Sequence, residues 1–301
     1  MAKKIQSGAC AAITQHSVGL RYLELNGKPG SFKIARQASI PFAREGSADS
    51  ISSLLLKEIS AFNAPVVFGL PMRESMIRVI EYPRMPVEDA RQALQFDFDR
   101  LFTWPYSECS VDVCEVESPL TSSDDKMSML VAACRNEHIF KIMHIAEGTR
   151  MTLKAIEPMN VAVLRTIIGH NMNREDEPWC SVYSDTDGIH FAFVSNDNGL
   201  LYRSSPAGIS GIIDPEDKES VEKAASEIQR TISYITTQFK GVSVGLLVLT
   251  GAIGNPEVAQ LIESAVGLRV ETVDIYERCG ISGEISDGFE PALGLCLRSF
   301  M

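Results

Sequence analysis

With 301 residues, 45% of them hydrophobic and 22% charged, the chain can bury the core of two ordinary domains or one large one, which excludes a disordered polymer. A formal net charge of −11 excludes nucleic acid and an anionic membrane surface as main partners. Seven dispersed cysteines without a Cys-x-x-Cys spacing argue against a disulfide or zinc framework, and no apolar run approaches the ~18 residues of a membrane span.

The five histidines are scattered, so no metal site is expected. The polar opening 1–7 does not read as an export signal, which places the chain in the cytoplasm without membrane insertion. Strands are expected at 9–14 and 19–25. Asn26-Gly27 and Pro29-Gly30 mark the next turn, and a third strand follows at 31–41. Asp49 starts a helix to residue 60, with Ile51, Leu54, Leu55 and Ile59 on one face, and 65–70 is a buried strand. Next come a strand at 76–82, a helix at 87–102, strands at 109–117 and 127–134, a helix at 137–147 and a strand at 152–156. That βαββαβ order predicts a small sheet with helices on one face. A helix at 157–170 returns to the first part.

The opening order then repeats. Strands at 180–184, 189–195 and 200–204 are separated by Asp187-Gly188 and Asn198-Gly199, and a long helix follows at 219–239. Leu246 to Thr250 reads as a strand buried on both faces. Gly251 and Gly254 turn the chain, Asn255 caps and Pro256 opens the next helix, and Gly267 ends it before a strand at 268–273. Thr250, Gly251, Ala252, Gly254 and Asn255 thus present free helix N–H groups at a glycine turn, a place suited to an anion or nucleotide; a plain structural turn is the alternative.

Two homologous α/β halves with a cleft between them describe an actin-like, ribonuclease H-like fold. The expected division gives residues 1–75 and 154–175 to the first half, 76–153 to an inserted α+β module, and 176–301 to the second half. On the module, Phe98 and Phe102 share a helix face next to Trp104, with Arg84 and Arg100 as charged neighbours. Core burial is the default for such aromatics, and against it they are read, with Arg84, as candidate anchors of a peptide groove.

The runs VVFGLPMRESMIRVIEYPRMPVEDARQALQFDFDRLF, MLVAACRNEH, EIQRTISYI, VLTGAIGNPEVAQLI and EPALGLCLR resemble PilM, the actin-like cytoplasmic component of type IV pilus assembly machines. FtsA and the cytoplasmic domain of GspL are more distant relatives. The resemblance implies a scaffold of the actin-like ATPase superfamily, held at the inner membrane by the short cytoplasmic tail of a PilN-like protein, with self-association allowed. It also implies an ATP or ADP site with magnesium, in which Asp185 and Gly188 belong to a phosphate hairpin and Glu227 and Arg230 approach the nucleoside. The family's acid on the first hairpin is replaced by Thr14, and Ala252 stands for a usual glycine, so a degenerate, pseudo-ATPase site without catalytic residues is the first reading. A working ATPase or small-molecule kinase, and a GspL-like component of type II secretion, are the alternatives.

Overall fold

The computed structural model describes residues 8–42, 46–119, 121, 123–168, 177–239 and 241–300. The polar opening 1–7 and the last two residues expected of helix 157–170 lie outside the described residues. In chain order the first part forms β1 (Gly8–His16), β2 (Gly19–Lys28), β3 (Ser31–Pro41), α1 (Ala48–Ile59) and β4 (Val66–Leu70). Then come β5 (Ser75–Pro83), α2 (Val87–Leu101), β6 (Cys109–Val116), β7 (Lys126–Arg135), α3 (Asn136–Thr149), β8 (Leu153–Pro158) and α4 (Met159–Ile168). The second part forms β9 (Trp179–Asp185), β10 (Gly188–Ser195), β11 (Asn198–Ser204), α5 (Lys218–Gln238), β12 (Leu246–Gly251), α6 (Pro256–Val266) and β13 (Arg269–Thr272). It closes with α7 (Ile275–Arg278), β14 (Ile281–Ser282) and α8 (Glu290–Leu297).

The duplication read from the sequence is present in the strand order. One sheet runs β14-β3-β2-β1-β4-β8 and the other β11-β10-β9-β12-β13. In each, three strands meander antiparallel and two more join in parallel beside the first. The helix before each of the parallel strands supplies the crossover that parallel pairing requires.

Five layers result. Along β1, Ala11 and Ile13 face the α1–α3 layer, while Cys10 and Ala12 face the other way. Along β12, Leu247 and Leu249 face α5 and α6, while Leu246 and Val248 face the same central layer as Cys10. That layer is α4 and α8, sandwiched between the sheets. A strand alternates faces with period two, so burial on both sides gives these strands their unbroken apolar look. In α8 every residue from Glu290 to Leu297 is buried. Gly294 lets it touch α4, because a Cβ there would lie 1.9 Å from the Ala162 carbonyl oxygen.

The expected module is corrected in two respects. Its sheet has three strands, β5-β7-β6, and β8 instead pairs with β4 in the first sheet. Helix α3 carries Ile142, Ile145 and Ala146 into the core shared with α1, and so does for β8 what α6 does for β13. Only β5, α2, β6 and β7 stand apart, around Phe98, Phe102, Met129 and Val131. The segment after residue 274, grouped with the second half by the sequence, goes back to the first sheet: β14 pairs with β3, and Cys296 Sγ lies 3.7 Å from the Leu23 carbonyl oxygen. Its α8 has no polar face whose periodicity could have shown where it docks. Among the described residues, no helix is long and apolar enough to cross a membrane.

Candidate functional site

The two antiparallel hairpins, β1–β2 and β9–β10, meet turn to turn across the cleft. Asp187, in the second turn, accepts the backbone N–H of Ser17, in the first, at 2.9 and 3.2 Å. Arg73, just after β4, reaches across from the first half and donates to the Asp187 carbonyl oxygen at 2.8 Å and to that of Ser205. Gly188 sits in this turn at φ +133°, and a Cβ there would lie 2.4 Å from the Arg73 guanidinium. The positive φ is what requires glycine here, and an arginine fills the space where the sequence placed a phosphate.

Beside the turns lies a buried polar group. His16 Nδ1 stands 3.3 Å from Asp185 Oδ2 and 3.8 Å from Asp187 Oδ2. His16 Nε2 lies 3.0 Å from the Thr14 hydroxyl and 3.2 Å from Arg21 Nη1, which donates to the Gly288 carbonyl oxygen at 2.6 Å. Asp185 accepts from the Asp187 N–H at 2.8 Å and from the Tyr183 hydroxyl at 3.2 Å. Burial works to raise the Asp185 carboxyl, but the imidazoles of His16 and His190 outweigh it and hold the group well below the usual carboxylate range. No metal ligands were expected, yet His16, Asp185 and Asp187 bring three ligand-type groups within 4.8 Å of one another. About 170 residues separate His16 from the two acids, a distance over which sequence spacing carries no signal.

Next to this group is a cavity of about 370 Å³. Gly251, Ala252, Gly254 and Asn255 line it together with Asp185. Asn255 caps α6 by accepting from Glu257 N–H at 2.9 Å, with Pro256 in the first turn. The glycine turn, however, is anchored on protein. At Gly251, φ is +71° and a Cβ would fall 2.3 Å from the Ser184 carbonyl oxygen, while Ser184 Oγ accepts from Ile253 N–H at 2.8 Å. Thr250 is buried with its hydroxyl unpartnered. The opposite wall, which sequence reading missed, is Arg21, Asp287, Gly288 and Glu290. Burial raises the Glu290 carboxyl against the opposing hydrogen bond from Tyr276.

Glu227 and Arg230 lie elsewhere, on the β11 side of α5. Glu227 is buried between Arg230, at 2.9 Å, and Arg203, at 3.6 Å. In the module, Phe98 and Phe102 stack at 4.3 Å with both side chains buried, so neither is a surface anchor as the structure stands. Trp104 is half-buried under the Arg135 guanidinium, where β7 runs into α3. Arg84 is at the other end of β5, paired with Glu115 at 3.3 Å. At ~3.3 Å per residue, the strand's length keeps it from Trp104. On α2 the exposed aromatic is Phe96, at 91%.

No family model and no curated protein matches the chain. Solved structures do, and they settle the architecture. The fold is actin-like. A chain of a PilM–PilN type IV pilus biogenesis complex superimposes with a TM-score of 0.80 at 18% identity, covering 99% of this chain and 100% of that one. The cytoplasmic domain of EpsL, an inner-membrane component of the type II secretion system of Vibrio cholerae, matches at 0.54 and 9% identity, over 97% and 94% of the two chains. A Bacteroides thetaiotaomicron protein with an actin-like ATPase fold and unknown function also matches at 0.54, at 10% identity and over 97% and 96%. In this actin-like frame, the cavity and the paired hairpin turns occupy the cleft between the duplicated sheets.

Proposed function

We propose that the chain is a PilM-like cytoplasmic scaffold of a type IV pilus assembly machine, attached to the inner membrane through the cytoplasmic tail of a PilN-like protein. The end-to-end likeness to a chain of a PilM–PilN complex supports this reading over the secretion role that the weaker EpsL likeness favours.

The observation that carries a scaffold, and not an ATPase, is the Asp187 carboxylate on the Ser17 N–H. A nucleotide with magnesium needs free backbone donors at the hairpin turns and carboxylates placed for the metal. Here the turn donors at Ser17 and Asp187 are both held by aspartates, and the cavity wall sets Asp185, Asp287 and Glu290 against one arginine, Arg21. Such a wall repels polyphosphate, and the single unmet hydroxyl of Thr250 is no cradle for it. The residues present do not fit that group, so the nucleotide site is degenerate in this reading.

The partner peptide is placed where the module joins the first half, at Trp104 and Arg135. Burying one large apolar side chain there is worth about 1.5–3 kcal/mol, or roughly ten- to a hundredfold in affinity. Calorimetric titration tests both parts. A peptide copying the PilN-like tail should bind, and Trp104→Ala should weaken it tenfold or more with little change in melting temperature. ATP with magnesium should give no sub-micromolar binding. Tight ATP binding with steady phosphate release would overturn the scaffold reading, and unchanged peptide affinity in Trp104→Ala would remove this groove.

A further inference from the structure

We propose that His16, Asp185 and Asp187 form a binding site for a divalent transition-metal ion, taken up directly and without nucleotide across the seam between the two halves. Each offers one donor atom, all within 4.8 Å of one another, and His16 Nδ1 stands 3.3 Å from Asp185 Oδ2 and 3.8 Å from Asp187 Oδ2. Metal–ligand bonds of ~2.0–2.2 Å put neighbouring donors about 3–3.5 Å apart, close to the spacings from the imidazole to the two carboxylates.

Two buried nitrogens point to a missing ligand. His16 Nδ1 is buried, faces both carboxylates and makes a hydrogen bond with neither. His190 Nε2 is also buried and without a hydrogen bond, 3.7 Å from Asp185 Oδ1. A buried polar nitrogen left unsatisfied destabilises the fold, and a cation between these groups relieves that penalty. Each ligand is already held from behind. Thr14 Oγ1 at 3.0 Å and Arg21 Nη1 at 3.2 Å flank His16 Nε2 and hold the ring with Nδ1 on the side of the acids. Asp185 is fixed by the Asp187 N–H and the Tyr183 hydroxyl, and Asp187 by the Ser17 N–H. Access is through a cavity of about 140 Å³ lined by His16, Ser17, Glu74, His138 and Asp187. Imidazole nitrogen with two carboxylates selects zinc or manganese over magnesium or calcium, which prefer all-oxygen shells.

The competing account is an imidazolium ion paired with two aspartates and no metal. To separate the two, the full chain is stripped with chelator and titrated with zinc chloride, with heat and metal content per chain as readouts. One ion per chain is expected, undisturbed by excess magnesium and needing neither ATP nor peptide, so its failure leaves the scaffold reading untouched. His16→Gln and Asp187→Asn should each weaken binding tenfold or more, and His138→Ala should leave it unchanged. Should His16→Gln fail to fold, Asp187→Asn decides, since the amide oxygen can still accept from Ser17. No bound zinc, equal affinity in Asp187→Asn, or loss of binding in His138→Ala instead would each overturn the proposal.

Discussion

Gly251 and Gly254 look alike in the sequence, as two turn glycines between β12 and α6, but the structure gives them different duties. At Gly251, φ +71° and ψ −150° fall in a region that only glycine populates readily, and forcing another residue there costs about 1–3 kcal/mol. A methyl group at this position would also sit 2.3 Å from the Ser184 carbonyl oxygen and 2.8 Å from the Tyr183 ring. Neither can retreat: Ser184 is in register with Gly251 in the β9–β12 ladder, and Tyr183 is buried. Overpacking of this kind adds about 1–3 kcal/mol. Gly251→Ala should therefore lose about 2–6 kcal/mol, a large share of the ~5–15 kcal/mol that holds an ordinary domain together. At Gly254 the nearest atom to an added Cβ is Leu249 O at 3.3 Å, and φ is unexceptional. Gly254→Ala should stay within about 1 kcal/mol of the parent. Urea unfolding followed by circular dichroism gives both numbers without any ligand. Equal stability of the two variants would refute the claim that β9 holds this loop in place.

Glu290 carries a carboxyl whose pKa burial raises in the folded chain. Its favourable contribution is therefore complete below the unfolded value of about 4.3 and is lost as pH rises through the folded value. Glu290→Gln should raise the melting temperature at pH 8 and lose that advantage toward pH 4; an advantage that grows toward pH 4 would contradict the assignment. Among the cysteines, Cys114 is exposed, Cys109 is half-buried and the other five are buried, with burial lifting the Cys180 and Cys279 thiols to about 12. Thiol counting in native buffer should find Cys114 first and Cys109 more slowly, with the buried set released only by denaturant. Rapid native labelling of Cys180 would show that β9 is not sealed as described.

The duplicated sheets were legible because their meanders are punctuated by Asn-Gly and Asp-Gly turns, which act locally. The cap at Asn255 and the stop at Gly267, φ +73°, were legible for the same reason. Helix α8 was harder. An element wedged between two sheets is apolar on all sides, so its sequence carries no direction, and its return to β1 and β2 is a tertiary choice. On α2, the i,i+4 spacing of Phe98 and Phe102 did show a shared face, but not that the face is covered by β6 and β7. The hairpin-to-hairpin contacts of His16, Arg73 and Asp187 join residues that only the fold brings together. Local chemistry suggested nothing about Arg73 in particular.

The return of the chain end to the first sheet has a consequence for biosynthesis. Cys10, Ala12, Leu23 and Leu25 face a layer that α8 helps to fill, and β14 borders β3. While the ribosome is still making the second half, that face of the first sheet is without α8 as its cover and its β3 edge lacks a partner. Such unfinished surfaces are where nascent chains aggregate or recruit chaperones. Deleting the segment from β14 onward should therefore wound the half that was made first, while the sheet of β9 to β13 keeps its strands, so limited proteolysis of such a truncation would cut near the beginning of the chain.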